Sequence, residues 1–245
     1  MKPAVIAMTK AELQALEYTV PYHWLTMQHN CLARYVELSA VMARMLRQHA
    51  RPGPGLDIGC GDGRSTFEVA CLLGRDYKLS GIDYDARAIH FARLFAPEIE
   101  FRVTNGDGLG AAAASMTFLC CREVLEHIAP DAVPAFIAEQ YRVLVPGGIA
   151  VVVVPSTRLP VSTKHYRHFT APSLAQCYGQ FESVELIGFG DRPKGYLGER
   201  LYTLIDLCPG LWKVYQNCWR TTGADVGDLV VGCFRKPVTS TIGVA

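Results

Sequence analysis

Leu56-Asp57-Ile58-Gly59-Cys60-Gly61-Asp62-Gly63 is the stretch whose reading decides the fold. A short apolar strand runs into three glycines at alternate positions, and a helical stretch follows from about Arg64. Glycines at such a strand-to-helix turn leave backbone N–H groups and the helix N-terminus open to a ligand. That is a cradle for a nucleotide-like molecule. A second apolar strand, Tyr77 to Ile82, ends at Asp83, about twenty residues beyond the glycines. A carboxylate at that strand end can accept both hydroxyls of a ribose, so the pair of features implies an adenosine cofactor.

Glycine spacing narrows the cofactor. The dinucleotide fingerprint needs a third glycine where the helix packs on the strand, and here that position is Arg64. The pattern Asp57-x-Gly59-x-Gly61-x-Gly63 instead resembles the first motif of the class I S-adenosylmethionine-dependent methyltransferases. Further matches follow in family order: Asn105-Gly106-Asp107 after the apolar run Ile99 to Val103, then Glu123-Val124-Leu125-Glu126-His127, then Arg142-Val143-Leu144-Val145-Pro146-Gly147-Gly148. The resemblance implies a seven-stranded, mostly parallel, doubly wound α/β sheet. It places Gly59, Gly61 and Gly63 along the methionine part of S-adenosylmethionine, with Asp57 behind the turn and Asp83 on the ribose. It also places Tyr84 along the adenosine, Gly106 and Asp107 beside the adenine, Glu123 at the cofactor's edge, and Tyr22 as a lid over its methionine end.

Strand and helix patterns alternate through the middle of the chain: helix Arg64 to Leu73, helix Asp85 to Phe95, strand Met116 to Cys120, strand Ile149 to Val154. Such alternation means a parallel sheet with helices on both faces. Upstream, Ala11 to Tyr18 reads as a helix, Pro21 breaks it, and a long amphipathic stretch runs from about His23 to Arg47. Residues 1–50 are expected to form a helical lid, with the methyltransferase domain from 51 to 245. After the polar loop 155–170, Ala171 to Gly179 reads as a helix and Glu182 to Phe189 as a strand. Asp228 to Phe234 would be an antiparallel last strand. The interval between these strands, about 191–227, is too long for a hairpin and reads as a helical insertion over the acceptor pocket.

In open α/β sheets, ligands lie beyond the C-terminal strand ends, so catalytic groups come from the loops there. His127, His165 and His168 meet that condition, and each can take a hydroxyl proton near neutrality if its other ring nitrogen is held. His23 is a fourth candidate, beside Tyr22; His29, His49 and His90 read as surface residues. Glu123, Glu126 and His127 at positions i, i+3 and i+4 would share a helix face, and crowding of that kind invites a cation. The spacing resembles that of plant-type small-RNA 3′-terminal methyltransferases and some ubiquinone-pathway O-methyltransferases. There Glu-x-x-Glu-His holds a metal and a later histidine, here His165 or His168, completes the site. Mixed carboxylate and imidazole ligation suits Mg²⁺ or Mn²⁺.

Bulk properties bound these readings. The 245 residues carry 24 basic and 23 acidic side chains, net +1, so no global field draws the chain to nucleic acid or an anionic membrane. A local cluster, Arg158, Lys164 and Arg167, keeps open an RNA-end ribose methyltransferase. The nine cysteines form no C-x-x-C pair, and Cys60, Cys71, Cys120 and Cys121 read as buried hydrophobes in a reducing cytoplasm. The N-terminal apolar run is too short for a signal peptide, and no stretch is long enough to span a membrane. The leading expectation is a cytoplasmic methyltransferase acting on a hydroxyl of a small metabolite or sugar-containing compound. A cofactor-binding subunit without transferase activity is the alternative from another class. The acceptor and the oligomeric state are not legible.

Overall fold

In a computed structural model, which describes residues 8–25, 32–104, 108–190, 223–224 and 227–238, the chain forms a seven-stranded sheet ordered β3-β2-β1-β4-β5-β7-β6. The strands are β1 (Gly53–Ile58), β2 (Tyr77–Asp83), β3 (Phe101–Val103), β4 (Met116–Arg122), β5 (Leu144–Pro155), β6 (Glu182–Phe189) and β7 (Leu229–Arg235). All neighbours pair in parallel except β7, which runs antiparallel to both β5 and β6. The helices are α1 (Lys10–Ala15), α2 (Tyr22–Leu25), α3 (Leu32–His49), α4 (Arg64–Leu73), α5 (Ala86–Phe95), α6 (Val133–Val143) and α7 (Ala171–Cys177).

A strand covered on both faces needs apolar residues at every position, and β5 shows this. Ala150, Val152 and Val154 join the core beneath α6 and α7, while Ile149, Val151 and Val153 join the core beneath α3 and α4. The same alternation splits Leu119 and Cys121 from Phe118 and Cys120 on β4. Burial of one such side chain contributes roughly 1.5–3 kcal/mol. The helix α3 supplies Leu38, Val41, Met42, Met45 and Leu46 to that second core, so it belongs to the sandwich itself.

Several expected elements shift. The N-terminal pattern does not run as one helix to Tyr18, because Leu16–Thr19 tightens into a 3-10 turn with Tyr18 outside helical φ/ψ. The stretch read as continuous from His23 divides into α2 and α3. The strand expected at Ile149 starts at Leu144, with the Pro146-Gly147-Gly148 turn absorbed as an irregularity opposite Met116 and Phe118. Cys71, expected inside, is exposed on the outer face of α4. Gly106, Asp107, His29 and nearly all of the 191–227 insertion lie outside the described residues. Among the described residues, no helix is long and apolar enough to cross a membrane.

Candidate active site

The site forms where β1, β2 and β4 end side by side. After β1, the N–H groups of Gly59 and Cys60 both bond to the Ile82 carbonyl, at 2.8 and 3.0 Å, folding the glycine turn back over β2. Gly59, Gly61 and Gly63 all have positive φ. At Gly61 the requirement is double: its N–H donates to Asp83 Oδ2 at 2.9 Å, and an added Cβ would sit 2.4 Å from the Tyr18 hydroxyl. Asp57 lies behind the turn, accepting from the Thr66 hydroxyl at 2.6 Å and tying β1 to α4. Asp83 accepts a second N–H from Asp85 at 2.9 Å, while Asp85 caps α5. Burial raises the Asp83 carboxyl above its ordinary range.

Two adjoining cavities open above this turn. The smaller, of about 200 Å³, is bordered by Gly59, Asp83, Tyr84, Val124 and Ile128. The larger, of about 350 Å³, is bordered by Gly59, Tyr22, Tyr35, Arg122, Glu126 and His165, among others. Tyr18, Glu123, His127 and Lys164 border both. A polar-rimmed cleft of this kind at the sheet's carboxyl edge is the default binding site of the fold.

The N-terminal segment roofs both. Asp62, whose side chain has no exposure, accepts the His23 N–H at 2.7 Å and pairs with His23 Nδ1 at 3.0 Å. The Trp24 indole N–H donates to the Asp62 carbonyl at 2.8 Å. On the other side, Lys164 pairs with Glu17, and the Lys10 ammonium donates to the carbonyls of Thr163 and His165, each at 2.8 Å. Asp62 is thus an anchor that sequence reasoning missed, because its partners lie about forty residues upstream.

The histidine loop is fixed from below. The Tyr166 N–H donates to the Glu126 carbonyl at 2.8 Å and the Arg167 guanidinium to the Ile128 carbonyl at 2.9 Å. His165 Nδ1 and His168 Nε2 are 2.8 Å apart, and His168 Nδ1 is 3.1 Å from the Leu159 carbonyl. A carbonyl only accepts, so His168 carries its proton on Nδ1 and accepts at Nε2. His165 then donates from Nδ1, which leaves Nε2 as its lone-pair nitrogen. The histidines therefore differ in role: His165 borders the cavity and His168 stands behind it. Burial, then the neighbouring His127 and His168, push His165 down to about 4, and burial also lowers His127.

The expected metal set changes in composition. Glu123 is not on a helix: it follows β4 at φ 54, and only Leu125–His127 form a turn, of 3-10 type. The i, i+3, i+4 argument therefore fails, and neither Glu123 nor His168 joins the cluster. Instead Glu126, His127 and His165 each offer a donor atom within 4.8 Å of the others. Glu126 is buried, its Oε2 has no hydrogen-bond partner, and burial holds its carboxyl well above the ordinary range. A carboxylate with one orphaned oxygen, beside two imidazoles, is a donor set of the kind a small divalent cation takes.

Residues 56–148, from the glycine turn to the Gly147-Gly148 turn, match a family described as methyltransferase domain. That segment is similar to the class I S-adenosylmethionine-dependent methyltransferases. Over 141 residues it is 29% identical to a probable S-adenosylmethionine-dependent methyltransferase of Mycolicibacterium smegmatis, covering 55% of this chain and 51% of that one. Over 161 residues it is 32% identical to a ubiquinone biosynthesis O-methyltransferase of Cereibacter sphaeroides, covering 61% and 62%. The chain thus spans about half to three-fifths of these curated relatives. The fold superposes with a TM-score of 0.63, at 17% identity, on the N-methyltransferase NodS of Bradyrhizobium japonicum in complex with S-adenosyl-L-homocysteine, covering 94% of this chain and 100% of that one. Asp83, Tyr84, Glu123, Tyr22 and Gly59 border one or both of the two cavities, and the Gly61 N–H is bonded to Asp83.

Proposed function

We propose that this chain transfers the methyl group of S-adenosylmethionine to a hydroxyl of a small metabolite or sugar-containing compound in the cytoplasm. The cofactor, when bound, supplies an electrophilic methyl on a sulfonium whose thioether leaves readily, so the protein's task is alignment and proton removal. Asp83 takes the ribose hydroxyls with Tyr84 beside the adenosine, and Gly106 and Asp107 border the adenine. Gly59, Gly61 and Gly63 lie along the methionine part, under Tyr22. The matching family model and a solved neighbour holding S-adenosyl-L-homocysteine support the cofactor.

The observation that carries the hydroxyl acceptor is the histidine chain. The Leu159 carbonyl, His168 and His165 stand in series, and His165 borders the larger cavity; in this reading its Nε2 accepts the acceptor's proton. An amine acceptor needs such a base less. The relatives do not choose, since one is named for O-methylation and the other for N-methylation. Free thiols buried at Cys60, Cys120, Cys121 and Cys233 support a reducing compartment. Lys164 and Arg167 are engaged with Glu17 and the Ile128 carbonyl, which weighs against the RNA-end alternative.

A second reading is favoured by the Glu126, His127 and His165 cluster and its orphaned oxygen: these residues would hold Mg²⁺ or Mn²⁺ and present the acceptor to it. A cation there would supply Lewis acidity that lowers the acceptor hydroxyl's pKa. The test is transfer of labelled methyl from S-adenosylmethionine to catechol, a sugar and an alkylamine, before and after exhaustive chelation. Transfer to a hydroxyl compound that persists in chelator and is lost in His165→Ala is the expected result. Loss on chelation with recovery on Mn²⁺ selects the second reading, and transfer to the amine alone contradicts both.

A further inference from the structure

Lys10 is the first residue of α1, and a capping box fixes it there. The Glu12 N–H donates to the Thr9 hydroxyl at 3.2 Å, and the Thr9 N–H donates to the Glu12 carboxylate at 2.7 Å. A lysine at the first position of a helix works against the helix dipole, so α1 gains no stability from this charge. Its partners lie 153 and 155 residues further along the chain: the ammonium donates to the carbonyls of Thr163 and His165, each at 2.8 Å. It also stands 5.1 Å from the centre of the Tyr166 ring. Residues 162–166 form no helix or strand, so no ladder fixes their backbone. A turn closed by the His165 N–H on the Ser162 carbonyl at 3.0 Å, and the Tyr166 N–H on Glu126, hold it from below. Lys10 holds it from above.

The two carbonyls that Lys10 holds flank Lys164, whose own ammonium pairs with Glu17. The N-terminal segment therefore grips this loop twice, on the backbone through Lys10 and on a side chain through Glu17. The Lys10 bond is the one that reaches His165 itself. An ammonium has three donors, and two of them on carbonyls two residues apart set the curvature of the turn, and with it the direction in which the imidazole leaves the backbone. Such charge-assisted bonds are roughly twice as strong as neutral ones, which suits a loop with no ladder. The ring then meets His127 edge-on, with centroids 4.6 Å apart, and His168 through Nδ1. Lys10 borders the smaller cavity and not the larger, so its effect on an acceptor in the larger one runs through His165.

We propose that Lys10 is a positioning residue for His165: its two bonds set the Thr163 to His165 turn so that the imidazole faces the acceptor, and His165 is in place only while the N-terminal segment is docked. This rests on the reading of His165 above. The test is steady-state methyl transfer to whichever of catechol and a sugar the wild type methylates, alongside calorimetric titration with S-adenosyl-L-homocysteine. Lys10→Met should lower kcat by about thirtyfold or more, while acceptor KM and S-adenosyl-L-homocysteine affinity each change by less than about threefold. Retained S-adenosyl-L-homocysteine binding certifies that the variant is folded. Lys10→Arg, whose guanidinium can also donate to two carbonyls, should keep kcat within about fivefold of wild type. A kcat in Lys10→Met within about threefold of wild type, beside an inactive His165→Ala, would overturn the positioning role. So would cofactor-product affinity that falls in step with kcat, or a Lys10→Arg no better than Lys10→Met, since Lys10 would then only prop the roof. Full activity in His165→Ala, or no transfer by the wild type to either hydroxyl compound, would instead overturn the reading of His165, and the role of Lys10 with it.

Discussion

Asp57 shows what the glycine turn demands of its neighbours. Burial pushes its carboxyl up to about 7, against the lowering pull of the Thr66 hydroxyl and of Arg122. Between the ordinary value of 3.8 and about 7, the folded chain therefore holds a proton at Asp57 that the unfolded chain does not. This contribution to stability is full below the lower value and is lost as pH rises through the upper one. Asn at this position is neutral at every pH. The gap in melting temperature between wild type and Asp57→Asn should consequently move against the wild type as pH rises from about 5 to about 8.5. A gap that stays constant would mean that Asp57 is ionised throughout. The sequence showed Asp57 at the head of the motif, but not this proton, because burial depends on how α4 closes over β1.

At the scale of elements, three hydrogen bonds tie the N-terminal segment to Asp62. Helix α2 has four residues, too few to be stable alone, and its first N–H groups need a partner. Asp62 supplies one across the glycine turn. Asp62→Ala should cost about 1–2 kcal/mol as a lost cap and raise amide exchange across residues 10–25 while leaving the sheet protected. Unchanged exchange there would mean that Lys164, Glu17 and Lys10 hold the roof by themselves. Local patterns made β2, β6, α4 and α5 legible to within a residue or two, since each has one period and a clear stop. Three features were not legible. The break between α2 and α3, the 3-10 turn at Tyr18 and the early start of β5 are set by contacts across the fold, which a local pattern does not contain.

For the whole molecule, the sheet brings to one edge residues from all along the chain: Glu17, Tyr35, Gly59, Asp83, Arg122 and His165. The glycine turn, Asp83 and the Glu123 to His127 segment were readable because each is a short motif at a strand end. Arg122 left a fainter trace, a lone charge closing an apolar strand at the ligand edge, and was passed over. The division of labour between His165 and His168 needed the Leu159 carbonyl, which no spacing reveals. Everything proposed about chemistry here depends on an adenosine cofactor seated between the glycine turn and Asp83. Calorimetric titration of S-adenosyl-L-homocysteine into wild type and Asp83→Ala measures that directly. Saturable one-to-one binding by the wild type, weakened in the variant by on the order of 2 kcal/mol or more, is the predicted result. Equal affinity in both proteins, or no binding by the wild type, would contradict it.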